Sequence, residues 1–222
     1  MNRRDFSAHF FAAPLAGMGV GAIALSAGLP AYAQGAPVEG TQYVRLGTPA
    51  PVNAPPGKFE VIEFFWYGCP HCNEFEPTLD AWQKKLPADV AFRRVPVAFR
   101  EVYVPQQQIF YALEALGKVD TMHRRVFYAM HSERQRLEKV DEIAALMEKN
   151  GIDKAKFLEV FNSFSVQTKA KQATRLAEAY KIDGVPAMGI HGRFFTSGTL
   201  AGSPAKALVV TDYLLQKVRN KA

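Results

Sequence analysis

The sequence contains very little cysteine: only Cys69 and Cys72 are present among 222 residues. Two cysteines cannot form the disulfide framework that stabilises many small secreted domains, and a structural zinc site usually needs four ligands. There is no second C-x-x-C pair, and the five histidines show no spacing typical of metal ligands. These absences leave the chemical purpose of one C-x-x-C pair as the main question.

Internal repeats and low-complexity segments are also absent. A composition of 48% hydrophobic and 22% charged residues is ordinary for a globular protein, and it excludes a disordered tail, a coiled coil and a polytopic membrane protein. The net charge is +6, and residues 163–222 carry most of the excess, with 9 basic and 3 acidic groups. Because no aromatic residues are interleaved with them, we expect solvated helix faces and no nucleic-acid partner.

The longest stretch without charge lies near the N-terminus, where residues 10–33 follow the basic pair Arg3 and Arg4. A basic start, an apolar segment and a small-residue site ending at Ala33 are typical of a cleaved signal peptide over residues 1–33. An uncleaved membrane anchor is the alternative, because about 20 apolar residues can span a bilayer. Four glycines and two prolines in the stretch favour the signal peptide. The paired arginines resemble a twin-arginine export signal, and the general export route is the alternative.

The region after this leader predicts a β-α-β unit. An apolar run of β-branched and aromatic residues at 61–67 predicts a central strand that is covered on both faces and paired in parallel. Gly68 ends the run, and a helix is expected from Pro70 to about residue 86, since proline is tolerated in a first helical turn. A second strand is expected at 90–97. The cysteine pair therefore lies where the first strand gives way to the helix.

The middle of the sequence changes to a series of helices without strand signals. Four helices are expected at 105–116, 120–131, 138–150 and 153–161. An edge strand, a longer amphipathic helix, a hairpin and a closing helix are expected at 43–46, 165–180, 187–196 and 204–219. These elements fit one domain or a domain that carries an insertion.

Cys69 and Cys72 stand three residues apart in the first turn of the expected helix, so they can form a disulfide without unfolding it. The ring is too small to add much stability, which suits a bond that opens and closes. At the helix N-terminus, Cys69 faces free backbone N–H groups and the positive end of the helix dipole, which favour its thiolate. His71 adds a hydrogen-bond donor and, when protonated, a positive charge.

A pair whose reduced form is favoured is a strong oxidant of other thiols. We therefore expect Cys69 to be the exchanging thiol and Cys72 to be more buried and to act as the resolving thiol. A structural disulfide or half of a metal site is the alternative. Glu74 and Glu76 place negative charge in the first turns of the helix, which would oppose the stabilisation of the thiolate.

Glu63 lies six residues before Cys69 on the apolar strand. Burial there would raise the pKa of Glu63 and allow it to exchange a proton with Cys72. A glutamate turned to solvent at a sheet edge is the alternative. Arg93 and Arg94 in the second strand are interpreted as a solvent-facing pair rather than as partners of Glu63.

Three features in order along the chain resemble a known family. They are F-F-W-Y-G-C-P-H-C at 64–72, the helical block, and G-V-P-A at 184–187 before the hairpin. Together they resemble the DsbA family of bacterial thiol:disulfide interchange proteins, in the thioredoxin superfamily. The resemblance implies an α/β thioredoxin fold with an inserted helical domain. The thioredoxin-like domain would comprise 34–104 and 163–222, and the helical insertion 105–162.

The resemblance also implies roles for individual residues. It makes Cys69 the nucleophile and Cys72 the resolving thiol, with Pro70 and His71 as the dipeptide that tunes them. It makes Glu63 the buried acid.

Val185 and Pro186 have a further implied role. Taken alone, an X-Pro bond at a strand entrance indicates only a turn, since about 5–6% of such bonds are cis. The resemblance makes the two residues a cis-proline loop beside the disulfide, whose backbone pairs with an extended substrate.

The activity implied by the resemblance is the oxidation of cysteines in newly exported polypeptides in the periplasm, with reoxidation by the quinone-linked membrane protein DsbB. The Cys69–Cys72 disulfide is the redox group, so we expect no cofactor and no metal. We expect a monomer, because no dimerisation segment is visible. A periplasmic reductase or isomerase, or a non-catalytic binder of unfolded chains, is the alternative.

Overall fold

The computed structural model describes residues 35–220 of the chain, and the expected signal peptide at 1–33 lies outside these residues. Within residues 35–220, no helix combines the length and the apolar character that crossing a membrane requires.

A five-stranded mixed sheet is built around the apolar strand. Its strands are β1 (Val44–Arg45), β2 (Phe59–Phe65), β3 (Val90–Pro96), β4 (Ala187–Ile190) and β5 (Phe194–Ser197). They lie side by side in the order β1-β5-β4-β2-β3. β2 pairs in parallel with β3 and antiparallel with β4, while β5 pairs antiparallel with β4 and β1. Every residue of β2 after Phe59 is buried, so a central strand covered on both faces is confirmed. It spans 59–65 rather than the predicted 61–67, because Tyr67 already lies in the turn before Pro70.

Eight α-helices lie in the described residues: α1 (Pro70–Gln83), α2 (Val104–Ala115), α3 (Val119–His131), α4 (Val140–Lys149), α5 (Lys154–Phe161), α6 (Phe164–Ala179), α7 (Gly198–Ala201) and α8 (Pro204–Arg219). All except α7 agree with the predicted positions to within one turn. The sequence pattern predicts neither α7 nor a 3-10 turn at Glu101–Tyr103, because both are too short to show a helical period.

Local sequence explains where several helices begin. The side chains of Asp153, Ser163 and Ser203 accept hydrogen bonds from backbone N–H groups three residues later, at the starts of α5, α6 and α8. Proline stands in the first turn of α1, α2 and α8, where the missing N–H removes no helical hydrogen bond.

Both faces of β2 are covered, which explains its continuous apolar pattern. On one face, Ile62 and Phe64 share a hydrophobic core with residues of α2 to α6. On the other face, Val61 packs in a second cluster with residues of α1 and α8, including Leu79 and Leu214. The helices between β3 and α6 thus bury apolar surface against the sheet, while the division into a thioredoxin-like domain and an insertion at 105–162 stays a prediction.

Candidate active site

The two cysteines lie where β2 gives way to α1. Cys69 precedes the helix, and its backbone N–H donates to the carbonyl oxygen of Trp66 at 2.9 Å. Pro70 occupies the first helical position. Cys69 is 7% exposed and Cys72, within the first turn, is fully buried. Both are free thiols in this structure. Because only Cys69 has exposed surface, it is the cysteine of the pair that solvent can reach.

Gly68 is required by the ring of Trp66. A Cβ atom on Gly68 would lie 2.6 Å from Cε2 of that ring, closer than a real contact allows. The indole is held over the turn by Tyr103, with ring centroids 4.4 Å apart, and by a hydrogen bond from its Nε1 to the side-chain oxygen of Gln106. Tyr103 and Gln106, which follow β3 in the chain, therefore help to fix the segment before Cys69.

The surroundings of Cys69 lower the pKa of its thiol to about 6 from a usual value of 9.0. The largest cause is a hydrogen bond from the thiol of Cys72 to the Cys69 sulfur. Burial opposes the shift, while the backbone N–H groups of Cys72 and His71 and the charge of His71 add to it. The helix N-terminus stabilises the thiolate as predicted, but the buried partner thiol contributes more than the histidine.

The surroundings of Cys72 oppose its ionisation. Burial raises the pKa of Cys72 strongly, and negative charge on Cys69 and on Glu63 raises it further. Near neutral pH, Cys69 is therefore the thiolate and Cys72 keeps its proton.

We expect the thiolate absorbance of Cys69 in the reduced protein to titrate with a midpoint near pH 6. Cys72→Ala should raise this midpoint by about one to two pH units, the equivalent of one hydrogen bond to a charged group. His71→Ala should raise it less, because the His71 side chain is 74% exposed and lies 3.5 Å from Glu74. Ultraviolet titration measures all three midpoints. A larger rise in the His71 variant would contradict this ranking of the two groups.

Glu63 is fully buried in β2, which confirms the predicted burial. Its Oε2 accepts a hydrogen bond from Nε of Arg94 at 3.0 Å, whereas its Oε1 has no partner among the described residues. Burial raises the pKa of Glu63 to about 8, with a further rise from the charge of Glu76 and an opposing effect of Arg94. Near neutral pH Glu63 is therefore an uncharged carboxylic acid.

The interpretation of Arg93 and Arg94 as a solvent-facing pair is wrong. The Arg94 side chain is only 12% exposed, and in the parallel register of β2 and β3 it stands directly beside Glu63. Arg93 points to the opposite face of the sheet, where its Nε donates to the buried Glu60 at 2.8 Å. The sequence shows that neighbouring strand residues alternate, but not that each arginine would meet a buried carboxylate.

Arg94 also binds α1, which the sequence pattern does not reveal. Its Nη2 donates to Oε2 of Glu76 at 3.1 Å and to Oδ1 of Asp80 at 3.0 Å. Burial alone would raise the pKa of Glu76, but a hydrogen bond from His123 and the positive charge of Arg94 lower it. Glu76 thus points into the protein as a carboxylate whose negative charge is balanced by Arg94 and hydrogen-bonded by His123. It does not face the Cys69 thiolate as an unpaired charge.

Val185 and Pro186 lie next to the cysteine pair, as the resemblance implies. The peptide bond between them is cis. The Sγ of Cys69 lies 3.4 Å from the carbonyl oxygen of Val185, to which the thiol donates when it is protonated. A groove of about 670 Å³ runs beside this contact, and its walls include His71, Pro186, Leu200 and Pro204. Val185 and Pro186 themselves form part of the groove wall.

Two histidines of α3 hold the residue two places before Cys69. The Tyr67 hydroxyl lies 2.9 Å from Nδ1 of His123, and Nε2 of His131 lies 2.8 Å from the Tyr67 carbonyl oxygen. The local sequence indicates no role for either histidine, because the contacts span more than fifty residues of sequence. Their spacing of eight residues on one helix face is the single signal that could have linked them.

Side chains suited to metal binding do not converge in the described chain: residues 35–220 contain no group of three or more His, Cys, Asp or Glu placed to hold a metal ion.

Comparison with known proteins agrees with this geometry. The family model described as "DSBA-like thioredoxin domain" matches residues 94–205. The thiol:disulfide interchange protein DsbA of Burkholderia cepacia is 42% identical over 199 residues, covering 90% of this chain and 94% of that protein. DsbA of Bordetella pertussis is 46% identical over 207 residues, covering 92% and 95%. The crystal structure of Pseudomonas aeruginosa DsbA superposes with a TM-score of 0.79 at 42% identity, covering 83% of this chain and 95% of that one. The predicted thioredoxin fold is confirmed, and the chain belongs to the DsbA family of thiol:disulfide interchange proteins.

Proposed function

We propose that the protein is a periplasmic dithiol oxidase that donates the Cys69–Cys72 disulfide to newly exported polypeptides through a mixed disulfide on Cys69. Thiol:disulfide interchange is the activity of the family to which it belongs. The observation that carries the direction is the difference between the two thiols. The pKa of Cys69 is lowered to about 6 while that of Cys72 is raised. A stabilised Cys69 thiolate favours the reduced pair, so its disulfide tends to pass to other proteins.

The exchange proceeds in two steps. A substrate thiolate attacks Sγ of Cys69, and the bond to Cys72 breaks as the mixed disulfide forms. The electron pair of the broken bond goes to Cys72, whose high pKa demands a proton. A second substrate thiolate then attacks the substrate sulfur of the mixed disulfide and expels Cys69 as a thiolate, which its low pKa makes a good leaving group. Two electrons have moved from the substrate to the cysteine pair.

Glu63 is the proposed source of the proton for Cys72. It is fully buried, it still carries its proton near neutral pH, and its charge influences the pKa of Cys72. Arg94, 3.0 Å away, stabilises the carboxylate that remains after the transfer.

The proposed substrate is an extended polypeptide lying in the groove beside Val185 and Pro186. In the same groove, Leu200 and Pro204 offer apolar contacts, and His71, the residue between Pro70 and Cys72, also lines it. A groove of this kind accepts many sequences because it supplies few side-chain-specific contacts.

The location and partners are part of the same proposal. The expected signal peptide at 1–33 supports export, and family membership supports the periplasm. The reduced pair must pass its electrons on before another turnover, and we assign this step to the quinone-linked membrane protein DsbB. We propose that the protein acts as a monomer, with the Cys69–Cys72 disulfide as its redox group and no cofactor.

Redox equilibration against glutathione tests the proposed direction. We expect the Cys69–Cys72 pair to be more oxidising than a glutathione buffer of roughly −220 to −260 mV. The reduced protein should then unfold at a higher temperature than the oxidised protein, because the folded state stabilises the Cys69 thiolate. A potential near that of thioredoxin, about −270 mV, would instead support a reductase. Incidental binding of unfolded chains would leave activity unchanged when both cysteines are replaced by alanine.

A further inference from the structure

Two buried carboxyl groups share one guanidinium beneath the cysteine pair. The side chains of Glu63 and Glu76 are fully buried, and each receives a hydrogen bond from Arg94, through Nε to Glu63 and through Nη2 to Glu76. Asp80 also binds Arg94, but its side chain is 37% exposed and Arg124 lies 3.4 Å from its other oxygen. Two positive charges therefore face three acidic groups. One of these groups must keep a proton for the cluster to be neutral.

The hydrogen bonds decide which of the two buried acids keeps it. Both oxygens of Glu76 have donors, because Arg94 binds Oε2 and Nε2 of His123 lies 3.2 Å from Oε1. Glu63 has a donor only on Oε2, and its Oε1 has no partner among the described residues. A carboxylate with donors on both oxygens is favoured over its protonated form, whereas an oxygen without a donor can carry the proton.

His123 can serve as this donor because of how its ring is held. It is 4% exposed and belongs to α3, so it reaches the cluster from the helical block. A Glu76 carboxylate only accepts hydrogen bonds, so the proton lies on Nε2, and Nδ1 of the neutral ring accepts from the Tyr67 hydroxyl. The charged and titratable groups that face the ring are Glu76 and Asp80 from α1, Arg94 from β3 and Tyr67 from the turn after β2. The rest of its surroundings are the aromatic rings of Phe65, Phe110 and Phe127.

We propose that His123 is a positioning residue: by donating a hydrogen bond to Glu76 it keeps Glu76 ionised and leaves the proton of the cluster on Glu63, where Cys72 can receive it. The inference rests on the proposed role of Glu63 in disulfide exchange. In the first step the electron pair of the broken S–S bond and the Glu63 proton both go to the Cys72 sulfur. The cluster then carries one more negative charge until Glu63 regains a proton from water. The opposite pKa shifts of the two acids, up for Glu63 and down for Glu76, agree with this assignment.

Carboxyl titration by NMR of the reduced protein tests the assignment. In His123→Leu, Glu76 loses one of its donors, so the proton is shared between the two acids. We expect the Glu63 midpoint to fall by about one pH unit or more and the Glu76 midpoint to rise, since one unit corresponds to a tenfold change in proton affinity. His123→Gln keeps an N–H donor of similar reach and should restore most of both midpoints. An unmoved Glu63 midpoint in the leucine variant would overturn the proposal.

His131 provides the matched control. It lies on the same helix and contacts the Tyr67 backbone rather than Glu76, so His131→Leu should leave both carboxyl midpoints in place. Glu76→Gln is an independent variant if His123→Leu does not fold. It removes the negative charge that raises the pKa of Glu63, so it too should lower the Glu63 midpoint. An unchanged midpoint there would also overturn the assignment.

A kinetic measurement separates positioning from a general loss of structure. The rate at which a small thiol reduces the oxidised protein is compared between His123→Leu and wild type at each pH, because the attacking thiol ionises equally in both experiments. The ratio of the variant rate to the wild-type rate should be low at alkaline pH and should return toward one at acidic pH, where Glu63 regains its proton. After each rate is divided by the concentration of small thiolate, the pH at which it is half-maximal should be lower in the variant than in wild type, by the same interval as the Glu63 midpoint. A fall of equal size at every pH would contradict the proposal. The carboxyl titrations involve no disulfide exchange, so failure of the oxidase proposal and failure of this one give different results.

Discussion

Replacing Cys72 by alanine should abolish disulfide donation and leave the protein joined covalently to its substrates. The variant has only Cys69, and one thiol cannot hold the two electrons that a substrate dithiol gives up. Cys69 can still enter a mixed disulfide when a disulfide-containing peptide or glutathione disulfide is supplied. Without Cys72 there is no internal thiol to resolve that bond. Refolding of reduced ribonuclease measures the lost turnover, and non-reducing electrophoresis measures the trapped adduct.

Cys69→Ala is the matched control, since it also removes one thiol of the pair. It should lose all turnover as well, but it should form no adduct. The remaining Cys72 is fully buried and its pKa is raised, so it is neither accessible nor ionised near neutral pH. Adducts on Cys72 in this variant would show that the roles of the two thiols are reversed. Full ribonuclease refolding by a variant lacking both cysteines would exclude the oxidase function.

The sequence predicts the part of the site that depends on local structure. An apolar strand, a glycine and a C-x-x-C pair with proline in the first helical turn suffice to locate Cys69 and Cys72. The thiolate stabilisation by the helix N-terminus follows from the same local pattern. Pro186 is different, because no local signal distinguishes its cis bond from an ordinary turn. The family resemblance alone brings it beside Cys69.

The electrostatics beneath the cysteines could not be predicted, because they depend on register and on distant helices. The position of Arg94 opposite Glu63 is fixed by the pairing of β2 with β3. A register shifted by one residue would turn this arginine to the other face of the sheet. Glu76 is buried only because Arg94 and His123 meet it from β3 and α3. A glutamate in the second turn of a helix is more often solvated, so the sequence position of Glu76 suggests an open charge.

Replacing Arg94 by methionine should lower the free energy of unfolding by about 3 to 5 kcal/mol near neutral pH, the usual cost of breaking a buried ion pair from one side. Methionine retains most of the side-chain volume, so the loss reflects charge rather than a cavity. The variant leaves Glu76 buried with His123 as its remaining donor, and it removes the sole partner that the described residues provide to Glu63. Urea unfolding at a series of pH values measures the loss.

The pH dependence of this loss follows from the two carboxyl groups separately. The pKa of Glu76 is lowered in the folded protein from a usual value of 4.5. Glu76 therefore contributes stability that is present above pH 4.5 and is lost as the pH falls through its folded pKa. Because Arg94 supplies part of that lowering, the gap between Arg94→Met and wild type should narrow under acidic conditions.

Glu63 changes the free energy of unfolding with pH in the opposite sense to Glu76, because its pKa is raised in the folded protein. From pH 4.5 to about 8 it is ionised in the unfolded chain but protonated in the folded protein, so it costs stability progressively as the pH rises. In wild type this cost stops growing near pH 8. Without Arg94, which lowers the pKa of Glu63, the cost should keep growing above pH 8, and the gap to wild type should widen again. The double variant with Glu63→Gln should not show this widening.

Arg93→Met is the matched control for the arginine substitution. Arg93 lies on the same strand and also binds a buried carboxylate, Glu60, but its side chain is 32% exposed. Glu60 keeps a second donor, the backbone N–H of Asn53 at 3.0 Å. We therefore expect a smaller loss of stability in the Arg93 variant and no shift in the titration of Cys69 or Glu63. Equal losses in the two variants would show that the Arg94 cluster stabilises the fold no more than an ordinary ion pair at the edge of the sheet.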